Sequence, residues 1–258
     1  MTLRGLPVKA LGHSQRIAVT SLFRDPVKMR NTVPIISFTF DDFPRTAYHI
    51  GGSILRTHGV RGTYYAAMGL AGTLAPVGEI FSRDDLMNLV TDGHELGCHT
   101  FDHCHSWNTT PVAFEQSIVD NARQLSEWMP EASFTTLAYP ISGPRPNTKR
   151  RAARHFSCCR AGGQTYNAAV VDRGLLSAYF LEQARHPDAV KRMIDENSEA
   201  CGWLIFATHD VCETPSRWGC TPEFLEEIVR YASRSGAAVL PVDDAWDVVR
   251  GRNDPATE

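Results

Sequence analysis

Three short stretches place titratable side chains where an apolar run ends. In "SFTFDDFPR", Ser37 to Arg45, the adjacent Asp41 and Asp42 follow a run of strand character. In "GHELGCHTFDHCH", Gly93 to His105, His99 and His103 stand four positions apart, and in "WLIFATHDV" an apolar run ends on His209 and Asp210. Two like charges side by side raise one another's pKa unless a cation lies between them, so the aspartate pair calls for a metal. Two imidazoles plus one carboxylate leave a coordination position open, the donor set of catalytic rather than structural zinc. His94 and Glu95 suggest the zinc-protease pattern HExxH, but the next histidine, His99, comes one position too late, and that reading is rejected. The spacing of His99 and His103 predicts a helical turn with both rings on one side. Asp102 and His105 read as surface residues, and Asp210 as a group placed to orient His209. The chain has seven cysteines, an odd number with no CxxC, which fits reduced thiols; Cys98 and Cys104 bracket the histidines but read as small buried side chains.

The elements that must hold these groups alternate. Strand-length apolar runs occur at Val33–Phe40, Val60–Met68, His94–Thr100, Ser133–Pro140, Gly202–His209 and Gly236–Val242. Between them lie helical segments: Tyr48–Gly59 and Ser82–Gly93, each ending on a glycine, and Thr110–Met129 and Thr221–Gly236, each opening with a Thr-Pro pair suited to an N-cap and first helical position. Strands alternating with helices predict an α/β fold with a parallel sheet, closed as a barrel. Active sites of such folds lie at the C-terminal ends of the strands. Asp41, Asp42, His99, His103 and His209 all fall there.

At 258 residues, 43% hydrophobic and 21% charged, the chain suits a single domain. Residues 1–32 read as an irregular extension, 33–250 as the catalytic domain and 251–258 as a flexible tail. A net charge of -3 calls for no nucleic acid, and no apolar run approaches the length of a membrane helix. The basic cluster Thr148–Arg154 reads as a solvated helix face. With no apolar signal segment recognised near the start, a cytoplasmic location is the expectation.

The motifs "TFDD", "HTFDH" and "THD", in this order, resemble the signature of the polysaccharide deacetylases, carbohydrate esterases with a NodB homology domain. The similarity runs from about Val33 to about Val249. It implies a distorted (β/α) barrel of the NodB type that uses one divalent metal ion, often zinc, to remove acetyl groups from an N-acetylated or O-acetylated carbohydrate. Carried over by position, it makes Asp42, His99 and His103 the metal ligands, Asp41 the general base and His209 the general acid. The family's Arg-x-Pro-Tyr motif matches "AYPI" and nominates the Ile141 N–H for the oxyanion. The chain departs from the pattern at three points. Ala138 stands where an arginine commonly steadies the base, so that Arg145 or Arg160 must replace it; Phe43 follows the aspartates in place of glycine; and Ile141 replaces the tyrosine. Asp172 is the candidate for the aspartate that tunes the general acid. Trp107 and Trp218, near the motif loops, are candidate sugar platforms. The alternatives are a hydrolase of another C–N bond, an allantoinase-like or other small amide, and a non-catalytic carbohydrate-binding relative.

Overall fold

The run Ile35–Phe40 is buried at every position, as a strand covered on both faces must be. In the computed structural model, which describes residues 17–141, 143–182 and 186–252, it forms the centre of a parallel sheet. The strands are β1 (Pro26–Lys28), β2 (Ile35–Phe40), β3 (Thr63–Ala66), β4 (Leu74–Ala75), β5 (Gly78–Glu79), β6 (Glu95–Cys98), β7 (Thr136–Ala138), β8 (Cys158–Arg160), β9 (Val170–Asp172), β10 (Tyr179–Phe180), β11 (Trp203–Thr208) and β12 (Ala238–Val239). The main sheet runs β10-β11-β2-β3-β6-β7-β8, all neighbours parallel. β11 lies along the whole of β2, from Trp203 opposite Ile35 to Thr208 opposite Phe40. The other edge of β2 is shared, with β12 at its start and β3 at its end. The far edge bends back. Leu176 bridges to Arg160 at the end of β8, and four residues on Phe180 pairs with Ala207 of β11. One segment thus joins both edges of the sheet, and the architecture is the distorted barrel expected.

The helices are α1 (Ser53–Thr57), α2 (Arg83–Thr91), α3 (Pro111–Trp128), α4 (Pro146–Ala152), α5 (Pro187–Glu199), α6 (Pro222–Arg234) and α7 (Val242–Val249). Their predicted ends are found: Ser82 and Asp85 form a reciprocal capping box, and Thr110 and Thr221 cap helices that begin with proline. Gly59, Gly93 and Gly236 take the positive φ that ends a helix. The segment Tyr48–Gly59 is not uniform; it winds as a π-helix over Ala47–Gly52 before α1. A Cβ on Gly51 would lie 3.0 Å from the Phe40 ring, so the glycine lets this wide turn sit directly on β2.

Three expectations are corrected. The His99–His103 segment is a loop with left-handed residues at Thr100 (φ 60°) and His103 (φ 50°), not a helical turn. The basic cluster is not wholly solvated: Lys149 is 1% exposed, donates to the Val19 carbonyl at 3.0 Å and is ion-paired to Asp172. The segment before Val33 is partly regular, with residues 17–21 helical and β1 paired antiparallel to β9. Residues 1–16 of it, and 253–258 of the tail, lie outside the described residues. Among the described residues no helix is long and apolar enough to cross a membrane.

Candidate active site

The C-terminal ends of β2, β6, β7, β8 and β11 meet at one mouth, and each brings a polar group to it. Directly after β2, Asp42 faces two imidazoles, with its Oδ1 3.2 Å from His103 Nε2 and 3.6 Å from His99 Nε2. One ligand atom from each of the three lies within 4.8 Å of the others. His99 Nδ1 lies 2.9 Å from the Ala138 carbonyl at the end of β7. A carbonyl only accepts, so Nδ1 carries the proton and the Nε2 lone pair points at Asp42. Burial pushes the His99 pKa down to about 4, which keeps the ring neutral. Asp42 Oδ1 is buried and accepts no hydrogen bond. Two lone-pair donors facing each other in a buried position repel unless a cation lies between them, and this donor set, with its backbone-anchored imidazole, fits a divalent metal. Cys98 and Cys104 are not part of it: Cys98 Sγ accepts from Asn121 at 3.2 Å with its thiol pushed up to about 12 by burial, and Cys104 bonds Ser117.

Asp41 faces a different partner. Arg160, 2% exposed at the end of β8, ion-pairs with its carboxylate and lies 4.5 Å from the Tyr65 ring. Burial raises the Asp41 pKa, but the Arg160 guanidinium outweighs that and holds the carboxyl below its ordinary value. The choice between the two candidate arginines is therefore Arg160. Arg145 donates instead to the Trp107 carbonyl and stacks on the Trp107 ring at 5.7 Å. The substitution has a simple geometry: Ala138 of β7 and Arg160 of β8 are paired in register, so the guanidinium comes from one strand further along at the same height. The sequence carried a signal for this, since "CCR" is a short apolar run ending on a charge like the other motifs, but it was too short to separate from the basic segment before it.

His209 follows β11, its ring centroid 6.2 Å from that of Trp218, and its Nδ1 is buried without a hydrogen-bond partner. Asp210 does not orient it; that carboxylate accepts from Ser216 N at 2.7 Å and Ser216 Oγ at 2.5 Å, closing the loop that carries Trp218. Asp172 is not a tuning group for His209 either, being held by Lys149 beside the β1–β9 pair. Ile141 follows Pro140 at the end of β7, 67% exposed and at φ 67°. Trp107 donates from Nε1 to the Gly143 carbonyl at 2.8 Å, which fixes its ring, and Asp102 is exposed as expected. His94 and Glu95 sit at the opposite end of β6. Asp42 (φ 62°) and Phe43 (φ 49°) are left-handed like Thr100, His103 and Ile141, a concentration of strained non-glycine residues around one mouth. Such settings cost about 1–3 kcal/mol each and persist where packing over-determines them.

The fold and this mouth define a NodB-type α/β scaffold whose Asp-His-His donor set fits a divalent metal. The polysaccharide deacetylase family matches residues 28–157, half of the chain, and the chain belongs to that family. Among solved structures, it is similar to the Bacillus subtilis peptidoglycan deacetylase PdaC in its D285S mutant (17% identity, 86% of this chain and 94% of that one, TM-score 0.55). It is also similar to a family 4 acetyl xylan esterase from Clostridium thermocellum in complex with cobalt (18%, 86% and 95%, TM-score 0.53). A mutant of BA3943, a CE4 family pseudoenzyme, matches at 12% identity over 89% of this chain and 73% of that one, TM-score 0.60. At these identities the likeness is one of fold. No curated protein resembles the chain closely enough to count as a match.

Proposed function

We propose that the protein is a metal-dependent hydrolase that removes acetyl groups from an N-acetylated sugar, oligosaccharide or polysaccharide. The observation that carries this reading is the buried, unbonded Oδ1 of Asp42 facing two imidazole nitrogens, one fixed as a lone-pair donor by the Ala138 carbonyl. Asp42, His99 and His103 hold a divalent ion, most simply zinc, which when bound polarises the acetyl carbonyl and makes a nearby water more acidic. Asp41, adjacent in the chain but turned to Arg160, removes the proton from the attacking water. Its ion pair keeps it a carboxylate and fixes its direction, so that the base starts each cycle unprotonated. The Ile141 N–H donates to the oxygen that becomes an oxyanion. His209 gives a proton to the departing amine nitrogen, the role of a general acid.

The test is acetate release from chitooligosaccharides, peptidoglycan fragments and acetylated xylan, with and without chelator, beside simple amides and cyclic ureides. Chelator-sensitive release from an acetylated sugar is expected. Turnover of the amides or ureides alone would favour the other C–N hydrolase reading, and silence across all of them a non-catalytic relative.

A further inference from the structure

Phe43 is a large apolar residue at a backbone setting that suits glycine, φ 49°, directly after Asp42 at φ 62°. Two successive non-glycine residues in the left-handed region are held only where something else fixes them. The Asp42 side chain does not do so at Oδ1, which has no donor. Phe43 does. Its ring is fully buried, stacked on Phe81 with centroids 4.8 Å apart and planes at 23°, and packed on Tyr64 at 5.2 Å. Its carbonyl accepts from the Phe81 N–H at 3.1 Å, and Pro44 bridges to Ile80. The Phe81 carbonyl in turn accepts from Gly72 N–H at 2.9 Å, so the loop after β3 with its β4–β5 hairpin backs the same point.

We propose that Phe43 is a positioning residue for the metal centre: its buried ring pins the left-handed turn that aims Asp42 at His99 and His103 before any metal arrives. The inference rests on the metal-site reading above and adds a residue that never touches metal or substrate. Glycine at this position separates the two forces at work. It suits the φ better than phenylalanine but removes the pin. If backbone strain were the governing factor, Phe43→Gly would leave metal binding intact or improve it; if the ring governs, it weakens it.

Zinc affinity is measured by competition with a chromophoric chelator on wild type, Phe43→Gly, Phe43→Ala and Ile194→Ala, the last a fully buried core position on α5 as a control for general destabilisation. Phe43→Gly and Phe43→Ala are expected to bind zinc about 10–100-fold more weakly, the range for residues that orient metal ligands, while Ile194→Ala stays within about twofold of wild type by the same measure. Wild-type affinity in both Phe43 variants, or equal weakening in Ile194→Ala, overturns the proposal. Amide hydrogen exchange on the metal-free proteins gives a second readout. Exchange over residues 41–46 and at Phe81 should rise in Phe43→Gly and not in Ile194→Ala. Unchanged exchange there overturns the proposal by itself, whereas failure of the wild type to bind zinc with exchange raised as expected would sink the metal-site reading and leave the pin standing.

Discussion

The two ends of the barrel bury carboxylates in opposite ways. At the floor, Glu95 begins β6 and is surrounded by neutral donors: Thr63 Oγ1 at 2.8 Å, Thr136 Oγ1 at 2.5 Å and the Asp243 N–H at 3.0 Å. It forms no ion pair among the described residues, so burial pushes its pKa up to about 7. Thr63 also accepts from the Val242 N–H at 2.9 Å, and the cluster docks α7 onto the sheet. At the mouth, Asp41 is held by a buried guanidinium and Asp42 is left with an oxygen that nothing donates to. A carboxylate closed off by neutral donors is part of the scaffold. One paired with a cation, beside a neighbour left open to a ligand, is the arrangement the proposed chemistry needs. One strand links the two ends: β6 begins on Glu95 at the floor and ends on Cys98, with His99 directly after it at the mouth, so position along the strand separates the roles.

The contrast is broken most severely at the mouth. Asp41→Asn should retain zinc yet lose activity by about 10²–10⁴-fold, the usual contribution of a general base, as measured by acetate release. Arg160→Ala should follow: it leaves Asp41 buried and unpaired, and denaturant unfolding should show a loss of about 3–5 kcal/mol. Arg160→Lys keeps the charge and loses the planar fork, and should recover only part of that loss. At the floor the effect is smaller and depends on pH. Because the folded Glu95 pKa is raised from an ordinary 4.5 to about 7, the folded chain keeps a proton between those values that the unfolded chain has released. Stability should therefore fall as pH rises through that window and level off above it, by at most about 3 kcal/mol. Glu95→Gln should flatten this slope without changing acetate release per folded molecule. A slope that persists in Glu95→Gln would assign the pH dependence to another group.

Much of the site was legible before the structure because its parts lie in contiguous motifs at strand ends. The alternation of elements gave the parallel barrel, and the position of Asp42, His99 and His103 beyond β2 and β6 followed from it. What escaped depends on contacts between strands. Arg160 could not be told from Arg145 until β7 and β8 were aligned, which pairs Ala138 with Arg160. The Ala138 carbonyl that fixes the His99 tautomer has no side chain to announce it. The i, i+4 histidine spacing suits a helical turn, whereas left-handed Thr100 and His103 bring the rings to 5.0 Å in a loop. Asp172 is a candidate functional acid by its type alone; its buried partner Lys149 lies in a segment whose basic composition suggests a solvated face. The closing strand at Tyr179–Phe180 is only two residues long, too short for any periodicity.

The proposed site puts one metal ion on Asp42, His99 and His103 together. Equilibrium dialysis against zinc, followed by metal analysis of wild type, His99→Ala and His103→Ala proteins verified as folded, tests it directly. About one zinc per chain in the wild type, and occupancy strongly reduced in both variants at the same free zinc, is the expected result given an open site of three protein ligands. Equal occupancy in all three proteins would contradict it.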